Sequence, residues 1–199
     1  MGLFGPSKRE IWEQLSEEIN GEYVDRGLWT GSRVQVHVDN WIVVLDTYTV
    51  STGKSSVTYT RMRAPFINLN NFYFRIYKNG VFSGLGKLLG MQDINIGYDE
   101  FDEDYIVKSN DEEKVKQLFR SDRVRSLVQD QNRMNLEIKD GEGVFQKHFP
   151  EGVSELYFLV TGVIKDVEAL KELYELFAEV LKELCNIGCA SNSDPNFTV

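Results

Sequence analysis

Between residues 33 and 77 apolar side chains repeatedly fall on every second position, and that period leaves few folds open. Val34, Val36 and Val38 alternate with Arg33, Gln35 and His37, while Phe72, Phe74 and Ile76 alternate with Tyr73, Arg75 and Tyr77. Successive side chains of a strand point to opposite faces, so these segments read as half-buried strands with one apolar face. Turn residues separate the runs: Asp39-Asn40 precedes Trp41–Leu45, and Gly53-Lys54 precedes Val57–Arg63. Connections this short join antiparallel neighbours, because parallel ones need a long crossover. Pro65 is expected to end its strand, since proline cannot donate to a ladder. Asn79-Gly80 is the strongest hairpin signal in the chain.

An apolar sheet face needs a cover, and stretches of helical period supply it. Ser7 and Glu10 have capping-box spacing, and Ile11, Trp12, Leu15 and Ile19 form one stripe of a helix over 7–20 that Gly21 stops. The stretch Phe101–Asp111 then divides a strand-rich first half from a more helical, acidic second half. Glu100, Asp102 and Asp104 line one face if that run is extended, and they lack the glycine turn of a calcium loop, so a solvated acidic edge is expected. A short apolar strand follows. Ser109 and Glu112, again at capping-box spacing, are expected to open a helix that turns Val115, Leu118 and Phe119 inward. A second helix over 122–131 carries Val124, Leu127 and Val128.

Leu136–Lys139 and Val144–Phe149 suggest a hairpin around Asp140–Gly143, and Leu156–Ile164 is a strongly apolar strand. Asp166 caps a long helix with Leu170, Leu173, Tyr174, Phe177, Leu181 and Leu184 on its buried face. The tail from Asn186 is rich in Asn and Ser and is expected to fray. The fold class is therefore α+β: antiparallel sheet packed by helices, in one continuous domain or in two αβ-type halves, 1–92 and 93–185, with a flexible tail 186–199.

Charge is distributed unevenly. The net charge of −9 argues against a general nucleic-acid binder. Yet Thr47–Gln92 holds no Asp or Glu and contains Lys54, Arg61, Arg63, Arg75, Lys78 and Lys87, so it carries +6 and leaves −15 for the rest. Arg61 and Arg63 share a strand face with Tyr59, and Arg75 shares one with Tyr73 and Tyr77. These six residues are the candidate binding set, suited to an anionic or acidic ligand or to a protein partner. The competing placement sets the acidic ridge Glu168–Glu183 or the Asp99–Asp104 cluster against the arginines and neutralises them internally.

Other constellations carry less chemistry. Gly80, Gly84, Gly86 and Gly90 surround Lys87, but a Walker loop needs Gly at Val81 and Ser or Thr at Leu88, and a dinucleotide loop needs Gly at Leu89. His37 and His148 have no metal-ligand spacing around them, and Cys185 with Cys189 makes neither a disulfide framework nor a zinc site. No cofactor, metal or catalytic residue is expected. No run of about 18 apolar residues exists for a membrane span. Met1–Pro6 lacks the apolar core of a signal peptide and has Pro6 where a myristoylation pattern needs Ser or Thr. A reducing cytoplasm is the expected compartment, with membrane-peripheral attachment left open.

The run Leu85–Ile94, with Phe101-Asp102, Tyr105–Asp111 and Gly162–Asp166, resembles a bacterial domain-of-unknown-function family over residues 80–185. The resemblance implies a prokaryotic intracellular or membrane-peripheral protein and brings no activity or cofactor with it. Three functional classes follow: a non-enzymatic binding or interaction module first, a structural subunit of a larger bacterial assembly second, an enzyme of unrecognised class third. Size-exclusion chromatography with light scattering separates the first two, because a subunit self-associates.

Overall fold

A computed structural model describes residues 6–25, 27, 31–51, 53–80, 91–131, 133–141 and 149–199. All strand pairings in it are antiparallel, and ten strands form one sheet. The first part of the chain runs α1 (Lys8–Glu18), β1 (Glu22–Asp25), β2 (Ser32–Val38), β3 (Trp41–Ser51), β4 (Ser56–Asn68) and β5 (Phe74–Lys78). It continues through β6 (Gln92–Ile94), α2 (Asp99–Asp104), β7 (Tyr105–Ser109), α3 (Glu112–Leu118), α4 (Asp122–Asp130) and β8 (Asn135–Lys139). The chain closes with β9 (Val153–Thr161), α5 (Val167–Asn186) and β10 (Ala190–Ser191). The strand order is β1-β2-β3-β4-β9-β8-β5-β7-β6, with β10 also paired to β4. Strands from both sides of residue 92 therefore interleave.

The expected α+β architecture is what the chain adopts. The apolar residues of each strand face one layer, where Val34, Leu45, Met62, Phe74, Val107, Leu136 and Phe158 form a single cluster with helix residues. Trp12 and Leu15 of α1, Leu118 of α3, Leu127 of α4 and Leu173 and Phe177 of α5 close it from above. α1 begins with the expected reciprocal capping box between Ser7 and Glu10. Asp166 caps α5, its carboxylate accepting from the amide of Ala169. Gly21 has a different task from the one expected. Asn20 takes the left-handed conformation after α1 (φ 52°), and a Cβ on Gly21 would stand 2.8 Å from the Gln35 carbonyl oxygen. Gly21 is there for close approach to β2.

Several local expectations are corrected. β4 runs through Pro65 to Asn68; its register with β3 ends at Val44↔Arg63, so Pro65 lies where β4 keeps β9 and has left β3. Asn79-Gly80 turns the chain without making a hairpin for β5, because β7 and β8 occupy both its sides. β8 likewise pairs with β9 and β5 rather than with the segment directly after it, and residues 144–148 of that expected strand lie outside the described residues. The acidic run is helical, not extended: it forms α2, and Asp102 folds back to accept from the amides of Ile96, Gly97 and Tyr98. The tail does not fray. Ala190 and Ser191 pair with Asn68 and Ile67, Cys189 is fully buried, and the Val199 carbonyl accepts from Arg33.

Ser109 does not cap α3. It closes β7 in a buried position, its hydroxyl bonded to the carbonyls of Tyr73 and Asp111 and to the Asp111 amide. Asp111 is the cap, accepting from the Lys114 amide at 3.0 Å. A carboxylate two positions on serves the same orphan donors and leaves the hydroxyl to close the strand. Asp111→Ala is accordingly expected to cost about 1 kcal/mol in urea denaturation, and Asp111→Asn only a fraction of that. An alanine variant as stable as the parent places the helix start elsewhere.

Candidate functional site

The sheet face opposite the helices carries the residues the sequence singled out. Arg63, Tyr157, Glu137, Arg75, Lys108 and Asp93 stand directly opposite one another on β4, β9, β8, β5, β7 and β6. One transverse row thus crosses six strands, with Glu137 and Asp93 flanking the like-charged neighbours Arg75 and Lys108. Arg61 makes two bonds of 2.7 Å to the Asp46 carboxylate, which also accepts from Arg63 at 3.0 Å. Arg75 bonds Asn135 at 3.1 Å and lies 3.8 Å from Glu137. Lys108 pairs with Asp93, and Lys139 with the fully buried Glu155.

Arg61 and Arg63 are brought together; Arg75 is not with them. Three strand spacings of about 4.8 Å separate it from Arg63, with Tyr157 and Glu137 between. Among the described residues, Asp46 and Glu137 are the acids beside the arginines, and neither belongs to the α5 ridge or the Asp99–Asp104 cluster. Glu175 on that ridge pairs with Arg123, and Lys171 bridges Glu168 to Glu18 of α1. Tyr59 sits 6.4 Å from Tyr48, its cross-strand partner, and Arg61 lies over the Tyr48 ring. Tyr77 lies under Arg75. Tyr73 is engaged elsewhere, donating to Asp140 at 2.6 Å. Desolvation first, and then that hydrogen bond, push its hydroxyl up to about 12. Burial likewise raises Tyr157 to about 12, while Arg61 and Arg63 pull the other way.

Three other expectations can be placed only in part. Gly84, Gly86, Lys87 and Gly90, with most of the run that carries the family resemblance, lie outside the described residues, as does His148. Cys189 is buried and Cys185 half-buried, and burial pushes both thiols up. Among the described residues no helix is long and apolar enough to cross a membrane.

A second place emerges from the topology. β8 and β9 are antiparallel neighbours, so the chain enters β8 and leaves β9 at the same edge. α4 ends just before β8 and α5 begins just after β9, and the C-terminal end of one helix therefore meets the N-terminal end of the other. Arg133 fastens this corner by donating to the Thr161 carbonyl at 2.9 Å. Thr60 holds the following turn, bonded to the Gly162 carbonyl and the Ile164 amide. Gly162 takes φ 95° there, which a side chain disfavours.

Between the two helix ends is a cleft of about 430 Å³. Asp130, Gln131, Arg133 and Asp166 supply its polar groups, and Val160, Ile164 and Ala169 contribute apolar surface. Gln131 is only 4% exposed, and among the described residues its side-chain Nε2 has no hydrogen-bond partner. A buried donor left so costs about 1–3 kcal/mol. Sequence reading treated 131 as the last residue of an amphipathic helix, and the signal for the cleft was the order of elements, helix–strand–strand–helix, rather than any motif.

With this geometry in view, comparison with known proteins adds little. No family model matches the chain. No curated protein matches it. Among solved structures it is similar to the mycobacterial trehalose monomycolate transport factor A at 9% identity and a TM-score of 0.49, covering 88% of this chain and 95% of that one. A likeness that distant assigns neither ligand nor partner.

The sheet-face cluster yields a stability prediction. Asp46 is the shared acid of two arginines whose side chains are 14% and 6% exposed. Asp46→Ala is expected to destabilise the fold by about 2–3 kcal/mol in guanidinium denaturation, because it removes the carboxylate that both guanidiniums share in a shielded site. A loss below about 0.5 kcal/mol, the size of a surface substitution, contradicts that role.

Proposed function

We propose that the chain is a non-enzymatic binding module whose ligand enters the cleft between the end of α4 and the start of α5. What supports this reading is the cleft itself: a volume of about 430 Å³, of a size that ordinarily receives small molecules, with polar groups set against an aliphatic wall of Val160, Ile164 and Ala169. The rim groups Asp130, Arg133 and Asp166 add orientation. A screen of small polar fragments by amide chemical-shift mapping is expected to find saturable binders whose shifts centre on residues 130–133 and 160–169. Asp130→Ala, at an exposed position of the rim, is expected to leave the fold intact while weakening that binding. If no fragment saturates at that corner, the reading fails.

The basic sheet face supports a second proposal, an anionic or acidic partner held at Arg61 and Arg63 beside Tyr59. In its favour, Arg61 and Arg63 stand side by side on that face, and Tyr48 beside them is 37% exposed. Retention on a heparin matrix is then expected at low salt and lost as the Debye length falls from about 10 Å at 0.1 M to about 3 Å at 1 M. A parent protein that flows through at low salt removes it.

A further inference from the structure

The residues that follow β10 have no place left in the sheet. β10 takes the length of β4 that β3 has left, with Ser191 opposite Ile67 and Val44 opposite Arg63. Both strands run antiparallel to β4, so β10 heads into the start of β3. Asn40, in the turn before β3, donates to the Asn192 carbonyl at 3.1 Å, and the chain leaves the sheet plane there. Asp194 accepts from the Asn196 amide at 2.7 Å, and Asn196 takes φ 52°, which bends the segment. Pro195, Phe197 and Val199 are half-buried and alternate with exposed Asp194, Asn196 and Thr198, so one side of the segment rests on the protein.

Two contacts say where it rests. The Phe197 and Phe149 ring centroids are 4.9 Å apart, and Arg33 donates to the Val199 oxygen at 3.1 Å. Val34 of β2 is in the helix-covered core, so its neighbour Arg33 projects from the opposite face. On that face Val44 is 2% exposed and Val153 7%, and both stand outside the helix-covered cluster. Extending the β2–β3 register one step past Val34↔Leu45 sets Arg33 beside Asp46, and Asp46 stands opposite Arg61. Arg33 is thus in the row of Asp46 and Arg61, two strand spacings of about 4.8 Å from the latter.

We infer that residues 192–199 are a strap over the β2 end of the basic sheet face, and that an acidic peptide segment displaces it. The inference rests on that face being a binding surface, and it names both the occupant at rest and the class of its competitor. The strap is itself a peptide: it sets an aromatic ring on Phe149 and, two residues on, an oxygen on Arg33. A partner segment with an aromatic residue and a carboxylate at the same interval meets both groups, and a carboxylate makes a stronger, charge-assisted bond to a guanidinium than a peptide carbonyl does. The strap is also lightly held. β10 keeps the sheet by two residue pairs, and the polar and aromatic ties of 192–199 to the rest of the chain are those to Asn40, Phe149 and Arg33 among the described residues.

The test titrates the isotope-labelled full chain with the acetylated peptide amide Asp-Pro-Asn-Phe-Thr-Glu, which repeats 194–198 and puts a carboxylate where Val199 stands. A second peptide ends in Gln instead of Glu. The acidic peptide is expected to bind saturably and to abolish the nuclear Overhauser contact between the Phe149 and Phe197 rings. Phe197→Ala loosens the strap without changing charge, and is expected to bind that peptide about threefold to tenfold more tightly, because the open state is no longer a minority. Thr198→Ala, exposed in the same segment, is expected to match the parent. The Gln peptide is expected to bind about threefold or more weakly, the scale of an exposed ion pair. Arg33→Gln is expected to erase that difference between the two peptides. Binding that leaves the Phe149–Phe197 contact intact, a Phe197→Ala variant with the parent's affinity, or equal affinity of the parent for both peptides overturns the inference. Retention on heparin while neither peptide binds also overturns it, and leaves the basic face as a binding surface. Flow-through on heparin with no peptide bound removes both.

Discussion

Nine successive residue pairs between β4 and β9, from Tyr59↔Thr161 to Ile67↔Val153, hold the early and late parts of the chain in one sheet. Everything else depends on that pairing. It places β8 and β5 beyond β9, and so carries β7 and β6 to the far edge. It also puts α5 over the middle of the apolar face, where eight of its residues from Leu170 to Leu184 are buried. A twisted sheet this wide cannot close over its own apolar face, and helices from both ends of the sequence supply the cover. Lys114 of α3 reaches the Ile187 carbonyl at the end of α5, and Tyr174 in the middle of α5 donates to the Val34 carbonyl of β2. The long helix is thus tied to elements far apart in sequence.

Periodic features were legible because they are local. The alternations of β2 and β5, the Ser7 and Asp166 caps and the inward faces of α3, α4 and α5 follow from side-chain direction and backbone hydrogen bonding within a few residues. What was not legible depends on neighbours. Pro65 looks like a stop until the register shows that β3 has already left β4. Asn79-Gly80 looks like a hairpin until both sides of β5 are taken by β7 and β8, which begin only at Tyr105 and Asn135. The Asn- and Ser-rich tail looks free until β4 offers it an unpaired length beyond Arg63. In each case tertiary pairing overrides a local preference of about a kilocalorie or so.

The candidate basic patch shows how a window can hide its own answer. The acid-free segment was bounded at Thr47 and Gln92 because Asp46 and Asp93 stand just outside it, and both belong to the same sheet face. The signal that could have shown this was already present. A turn at Gly53-Lys54 fixes the register of its two strands, and with Ser51 opposite Ser56, Asp46 must fall opposite Arg61. Glu137 was beyond reach of such counting, since α2, α3 and α4 all intervene before β8 meets β5. Charge read along a sequence and charge read across a sheet are different quantities, and cross-strand pairs are set by the second.

The corner between α4 and α5 is the reverse case, a place with no motif and a clear physical anomaly. Where two antiparallel strands are each continued by a helix at the same edge, a helix C-terminus and a helix N-terminus face each other. The partial charges there have opposite sign whatever side chains follow. A chain that used this corner only for packing would fill it with apolar groups, as it does beside Val128 and Leu127 one turn earlier. Here it places an amide at 131, glycine at 162 and three charged groups around an open volume. A buried polar group without a partner lowers stability relative to an apolar one of similar size. Its presence beside a rigid frame, β9 and the first turn of α5, is a local conflict between burial and polarity that local sequence preference does not explain.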